Sequence, residues 1–152
     1  MKKIIIIALS MLFFYGAIGE PKDSLDIMIG QMIQIGITDF GDASVRNELR
    51  NLIKTGKVGG VILFEKNLQK EDTKVALKKM IEEIQKEANI PLFIAIDEEG
   101  GYVNRLKPKY GFPKTVSAAY LGAMDNLDST KFYSAQTAQT LSSLGFNVNY
   151  AP

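Results

Sequence analysis

Cysteine and histidine are both absent from this 152-residue sequence. Without cysteine there is no disulfide framework, no thiolate nucleophile and no lipoprotein attachment site. Without histidine, any histidine that acts as a general acid or binds a metal must lie outside these residues. We expect no metal site and no cofactor.

An excess of charge of either sign is also lacking. The chain has 18 basic and 17 acidic residues, which gives a formal net charge of +1. A nucleic-acid-binding protein usually concentrates Lys and Arg on one face, and no such basic face is indicated here. We therefore expect no nucleic-acid partner.

A long apolar run occurs only at the N-terminus. Lys2 and Lys3 precede the apolar residues 4–18, and Ala17-Ile18-Gly19 offers small residues at the two positions that a signal peptidase reads. An uncleaved membrane anchor is the alternative, but the run is shorter than the roughly 20 residues that span a bilayer. We predict that residues 1–19 are a signal peptide. The mature protein would be secreted or periplasmic, with no stable membrane insertion after cleavage.

Apolar strand-like runs alternate with helical patterns along the rest of the chain. The runs at 31–37, 58–64, 91–96 and 146–150 suit strands, and those at 42–55, 72–88 and 128–145 have helical spacing. Shorter helices are predicted at 24–32 and 117–124, with Asp42 and Asp128 as N-caps of the longer ones. Because no hairpin signal separates the strands, the pattern predicts an α/β fold with a parallel sheet.

The strand at 91–96 is followed by three acids and two glycines, from Asp97 to Gly101. Because acids are costly to bury, we expect the chain to leave the core at Asp97. A carboxylate delivered at the C-terminal end of a buried strand is typical of α/β active sites. A solvated turn is the alternative interpretation. The arginine at position 105 favours an active site, because the loop can bring it back to the same end of the strand as Asp97.

Three segments carry a resemblance to a known family. Residues 96–106, IDEEGGYVNRL, resemble the D-x-E-G-G-R-V-x-R signature of glycoside hydrolase family 3, and more closely its single-domain bacterial β-N-acetylhexosaminidases. Residues 59–68 and 144–152 resemble the family's G-G-V-I-L-F-x-x-N and L-G-I-N-x-N-F-A-P segments, in the same order. The resemblance spans roughly Leu25 to Pro152.

The resemblance implies a TIM-type (β/α)8 barrel with parallel strands. Such a barrel needs about 250 residues, so this sequence would be its N-terminal half, with two exposed sheet edges. We therefore expect residues 20–152 to be a truncated family 3 N-terminal catalytic domain.

The same resemblance implies which residues bind substrate. Asp97 matches the motif's first Asp, which accepts hydrogen bonds from sugar hydroxyls, and Arg105 matches its second arginine. An ion pair of Arg105 with Asp97 or Glu99 is an alternative that does not exclude sugar binding. Glu99, Gly100 and Gly101 would support the site, the glycines through backbone geometry.

Three further features concern the rim of the site. Asn67 matches a family Asn that shapes the rim, although a plain polar loop residue is the alternative. The segment 107–113 is either an ordered surface loop or a wall of the sugar site, with Tyr110 or Phe112 offering an aromatic face. Tyr102 stands where the family has its first arginine, so any contact that needed that positive charge is lost or moved.

The implied reaction is the retaining hydrolysis of terminal β-linked N-acetylhexosamine from cell-wall fragments or glycans. Its nucleophile, an Asp, and its general acid, a His in the hexosaminidase branch, would lie beyond residue 152, so we expect no catalytic residue and no activity in this sequence alone. A β-glucosidase or β-xylosidase is one alternative, which a downstream K-H-F-P-G-H-type loop would exclude. A sugar-binding barrel without catalysis is the other, and an absent downstream nucleophile would mark it.

Overall fold

The structure is a computed structural model that describes residues 24–151. The predicted signal peptide, residues 1–19, lies outside the described residues. Short 3₁₀ turns cover Glu65–Asn67 and Pro108–Tyr110. The main elements, in chain order, are α1 (Ser24–Gln31), β1 (Gln34–Gly36), α2 (Ala43–Lys54), β2 (Gly60–Leu63), α3 (Thr73–Lys86), β3 (Phe93–Ile96), α4 (Ala118–Met124), α5 (Leu127–Leu144) and β4 (Val148–Asn149).

The four strands form one parallel sheet in the order β1-β2-β3-β4. Ile35 pairs with Val61, Val61 with Ile94, and Ala95 with Val148. The α/β fold and the parallel sheet are therefore confirmed. Neighbours in the sheet are also neighbours in sequence, each joined through helix, which is the strand order of the first half of a TIM-type barrel.

A side-chain hydrogen bond joins the two outer strands of the sheet. The hydroxyl of Tyr150, one residue after β4, donates a 2.7 Å hydrogen bond to Oε1 of Gln34 in β1. Three strand spacings of about 4.8 Å would hold these strands about 14 Å apart in a flat sheet. The two long side chains therefore span the sheet from its first strand to its last.

The core lies between the convex face of the sheet and the helices. Alternate strand residues point to it, so that Val61 and Leu63 of β2 and Ile94 and Ile96 of β3 are at most 1% exposed. The helices contribute residues at helical spacing, among them Leu77, Ile81 and Ile84 of α3, Ile53 of α2 and Leu141 of α5. This packing fixes the strand ends at which the site is built.

Of the two predicted helix N-caps, one is confirmed and one is wrong. Asp42 caps α2 as predicted, because its Oδ1 accepts a 2.7 Å hydrogen bond from the Ser44 N–H. The predicted cap of the last helix, Asp128, is wrong. Asn126 caps α5 through its Oδ1, which accepts from the Ser129 N–H, and Asp128 lies in the first turn.

The strands are shorter than their apolar runs. Gln31, predicted to open the first strand, ends α1 instead, and β4 has only two residues. Phe132 in α5 is 62% exposed, because only the C-terminal part of that helix, with Leu141 and Leu144, packs on the core. An apolar run marks burial and does not by itself separate ladder residues from those that flank them.

Residues 24–151 lack two kinds of feature. None of the helices in this part of the chain is long and apolar enough to cross a membrane. Across the same residues, no three Asp or Glu side chains are grouped so that they could hold a metal ion.

Candidate functional site

Asp97 lies at the C-terminal edge of the sheet, as the first residue after β3. Its Oδ2 accepts a hydrogen bond of 3.2 Å from Nη2 of Arg105, and the two side chains are 25% and 28% exposed. The structure thus brings the two predicted binding residues together as a half-exposed ion pair. The alternative pairing of Arg105 with Glu99 is not formed, since the Glu99 carboxylate has no partner among the described residues.

The loop between these residues is built like a small hairpin. The Glu99 N–H donates to the Val103 carbonyl at 3.0 Å, and Gly100 forms an antiparallel bridge with Val103. Gly100 and Gly101 have φ of +76° and +61°, and a Cβ at Gly100 would lie 2.2 Å from the carbonyl oxygen of Val116. Both glycines therefore serve backbone geometry, since no other residue fits this turn without strain.

Glu98 is buried, with 3% exposure, between two half-exposed acids. Its Oε2 accepts hydrogen bonds of 2.8 Å from the backbone N–H groups of Arg105 and Leu106, and its Oε1 accepts from the Thr115 hydroxyl at 3.3 Å. The expectation that the chain leaves the core at Asp97 is therefore wrong for the next residue. A carboxylate can be buried where enough donors meet it, and here they hold the backbone that carries Arg105.

Two asparagines at β4 bind the backbone of β3 and of the loop that follows it. Asn149 accepts from the Glu98 N–H at 2.9 Å and donates to the Glu98 carbonyl at 3.1 Å. Asn147 makes the same two-point contact at the start of β3, with the Ile94 N–H and the Leu92 carbonyl. Sequence reasoning gave neither residue a role. The usable signal was the Asn-x-Asn spacing, which places both side chains on one face of a strand.

Asn67 ties together the ends of β1 and β2. Its Oδ1 accepts from the Phe64 N–H at 2.8 Å, and its Nδ2 donates to the Ile37 carbonyl at 3.1 Å. Its amide is therefore engaged by the backbone at the edge of the sheet. A rim-shaping role in sugar binding remains a prediction.

Glu65 joins the loop after β2 to the loop after β3. Its carboxylate binds Nζ of Lys107, Nζ of Lys109 at 3.0 Å and the hydroxyl of Tyr110 at 3.0 Å. The hydrogen bonds from Lys107 and then Lys109 lower the pKa of Glu65 from 4.5 to about 2. The carboxylate stays ionised to low pH, so the two loops remain linked.

The aromatic residues of the 107–113 loop have other tasks. Phe112 is 4% exposed in the core, so the interpretation of this residue as a sugar-facing wall is wrong. Tyr110 bonds Glu65, and Nζ of Lys109 lies 4.7 Å from its ring centre. The breakers Pro108 and Gly111 fold this loop back onto the core, which an aromatic pattern alone does not reveal.

The Asp97–Arg105 pair keeps unused hydrogen-bonding atoms. Among the described residues, Asp97 Oδ1 and Arg105 Nη1 have no partner, and the buried Nε of Arg105 has none either. A carboxylate acceptor beside guanidinium donors suits a ligand that both donates and accepts hydrogen bonds, such as a polyol.

Comparisons with known proteins agree on one family. The glycosyl hydrolase family 3 N-terminal domain matches residues 24–152. Beta-hexosaminidase A of Pseudoalteromonas piscicida is 38% identical over 111 residues, which cover 69% of this chain and 18% of that protein. A beta-hexosaminidase of Vibrio cholerae serotype O1 is 35% identical, over 58% of this chain and 25% of that protein. The chain thus spans about a fifth to a quarter of the length of these relatives.

Solved structures give the same answer. A fungal multi-domain GH3 beta-N-acetylglucosaminidase superposes with a TM-score of 0.72 and 26% identity, over 84% of this chain and 15% of that one. Native NagZ from Neisseria gonorrhoeae superposes with a TM-score of 0.62 and 26% identity, over 79% of this chain and 35% of that one. With its parallel sheet, its loop motif and this match over residues 24–152, the chain belongs to glycosyl hydrolase family 3 and represents sequence of the family's N-terminal domain.

Proposed function

We propose that this chain supplies the sugar-binding side of a retaining glycosidase that removes terminal β-linked N-acetylhexosamine. The observation that carries the proposal is the half-exposed Asp97–Arg105 pair at the C-terminal edge of the sheet. Oδ1 of Asp97 accepts from a sugar hydroxyl, and Nη1 of Arg105 donates to a second sugar oxygen. Names of the relatives, which are beta-hexosaminidases, support the choice of sugar.

The catalytic groups are assigned outside these residues. A retaining mechanism needs a carboxylate nucleophile and an acid close to the scissile bond. In this proposal the nucleophile is a downstream Asp and the acid a downstream His, since the chain itself has no histidine. Asp97 holds the sugar and is not assigned as the nucleophile, because it matches the motif's first Asp, which accepts hydrogen bonds from sugar hydroxyls. Secretion or periplasmic location follows from residues 1–19 and belongs to the same proposal.

Binding is tested by following ¹⁵N-labelled amide signals of the 152-residue chain during titration with N-acetylglucosamine and, separately, with glucose. We expect saturable shifts in the loop from Asp97 to Arg105, with tighter binding of N-acetylglucosamine. Asp97→Asn removes the charge that strengthens the hydroxyl contact and should weaken binding about tenfold or more. Asp128→Asn, an exposed acid in α5, is the control and should bind like the parent.

Three outcomes count against parts of the proposal. Equal sugar affinity of the parent and Asp97→Asn would remove Asp97 from the site. Tighter binding of glucose would favour the β-glucosidase alternative. Release of a chromogenic group from an aryl N-acetylglucosaminide by this chain alone would contradict the placement of both catalytic groups downstream.

A further inference from the structure

Tyr102 stands at the tip of the loop that carries the Asp97–Arg105 pair. Three contacts join the two sides of the loop. The ion pair lies at its base, and the Glu99–Val103 hydrogen bond and the Gly100–Val103 bridge lie nearer its tip. Tyr102 is the residue just before the returning strand of this turn. Its exposure is 101% of the reference value, so the whole side chain is in water.

No contact among residues 24–151 covers this side chain. A tyrosine usually buries about 150–250 Å² and finds a partner for its hydroxyl. Among residues 24–151, Tyr102 has neither a ring contact nor a hydrogen bond from its hydroxyl. It therefore adds nothing visible to packing. An anchored, fully exposed aromatic side chain is a feature of binding surfaces, where its flat face is covered only in the complex.

The turn that presents Tyr102 is rigidly held. A Cβ on Gly100 would lie 2.2 Å from the Val116 carbonyl oxygen, and one on Gly101 would lie 2.6 Å from the Ser117 Cβ. The two glycines thus sit directly against the segment before α4. A rigid mount lowers the conformational entropy lost when a ligand covers the ring, because only the side chain has to be fixed.

Tyr102 is also within reach of a ligand bound at the base of the loop. Tyr102 is five positions after Asp97, so the two Cα atoms are at most about 17 Å apart, and the turn shortens this distance. A single sugar held by Asp97 and Arg105 would not need the tip. In a longer ligand, the part that extends along the loop is the part that the Tyr102 ring is placed to contact.

We propose that Tyr102 is a specificity-determining residue that stacks on a neighbouring sugar unit, next to the one bound by Asp97 and Arg105. The ring offers an apolar face to the C–H face of a pyranose, and its hydroxyl can bond a sugar hydroxyl. The preferred ligand is then a β-linked oligosaccharide of at least two units. This inference rests on the sugar site proposed above and assigns its neighbouring subsite.

The test compares ligands of different length on the 152-residue chain, again by amide shift titration. The probes are N-acetylglucosamine and N,N′,N″-triacetylchitotriose. Tyr102→Ala should weaken trisaccharide binding roughly threefold to tenfold and leave monosaccharide binding unchanged. Tyr102→Phe keeps the apolar face and should retain most of the preference for the trisaccharide. Tyr120→Ala, which removes a 53% exposed tyrosine from α4, is the matched control.

The ratio of the two affinities separates the two proposals. If Tyr102→Ala leaves trisaccharide affinity unchanged, or lowers both affinities equally, the stacking role is overturned while the sugar site stands. If the parent binds only the trisaccharide and loses it in Tyr102→Ala, stacking stands and the monosaccharide site fails. If the parent binds neither sugar, both proposals are overturned.

Discussion

Two carboxylates in different regions of the molecule have nearly the same surroundings. Glu65, at the edge of the site, binds two lysines and is 28% exposed, and Glu87, behind α3, binds Arg50 and Lys54 and is 25% exposed. Neighbouring cations lower the pKa of both groups. The difference lies in what they join. Glu87 links helices that already pack on one core, whereas Glu65 links two loops.

An ion pair contributes most where the segments it joins are not otherwise fixed. Holding two helices that the core already orders adds little, because their conformational entropy has been lost in packing. Holding two loops restricts backbone that lies outside the sheet and the main helices. The second of these loops is also anchored in the core by Phe112. Glu98 marks the limit of this trend, since it is fully buried and its partners are the backbone of the binding loop itself.

The largest effect is expected for Glu98→Ala. The change leaves the N–H groups of Arg105 and Leu106 without their acceptor in a buried place, which should cost roughly 2–4 kcal/mol of unfolding free energy. Urea denaturation measures it. Glu98→Gln retains one acceptor oxygen and should cost only about 1 kcal/mol. Similar losses in both variants would show that the acceptor atoms are not what stabilises the loop.

A smaller effect is expected for Glu65→Gln, and it should fall on binding rather than on stability. Solvent screening limits the loss of unfolding free energy to about 1 kcal/mol or less. Loosening the link between the loops should weaken N-acetylglucosamine binding roughly twofold to fivefold, because Arg105 precedes Lys107 by two residues. Unchanged affinity in this variant would remove Glu65 from the support of the site.

The stability of the parent should depend on pH through Glu65. Its pKa is lowered from 4.5 to about 2, so its contribution is present above about pH 4.5 and is lost as the pH falls towards 2. The difference in unfolding midpoint between parent and Glu65→Gln should therefore be constant near neutrality and shrink within that window. A difference that persists at pH 2 would point to packing instead of charge.

The smallest effect is expected for Glu87→Gln, the matched control for Glu65→Gln. It removes a carboxylate with the same number of cationic partners from a surface that the core already orders. Both the unfolding midpoint and sugar affinity should stay close to those of the parent. If Glu65→Gln and Glu87→Gln change stability and sugar affinity by the same amount, an ion pair between loops contributes no more than one between helices.

The sequence was sufficient to predict the fold and the loop that carries the candidate site. Buried parallel strands appear as continuous apolar runs, and the segment from Asp97 to Arg105 announces its turn with two glycines. The sequence does not show which apolar residues pair in the sheet. Met32 and Phe93 are both apolar, for example, but only Phe93 belongs to a strand.

The different partners and burial of the three acids after β3 could not be predicted from the sequence. Asp97, Glu98 and Glu99 are chemically similar, yet one pairs with Arg105, one is buried and one has no partner among residues 24–151. What separates them is the position of their partners. The N–H groups of Arg105 and Leu106 and the Thr115 hydroxyl donate to the Glu98 carboxylate, and the Asn149 amide binds the Glu98 backbone. Such long-range complementarity is set by the packed structure and leaves no local pattern.

The anchoring of Glu98 by Asn149 also sets an order of events during synthesis. The two residues are 51 positions apart, and chains grow at about 5–20 residues per second. The binding loop is therefore made about 3–10 seconds before the residue that pins its base. During that interval a growing chain carries a complete binding motif without a fixed binding geometry. The geometry that we propose holds a sugar is therefore completed late, with the arrival of a single amide side chain.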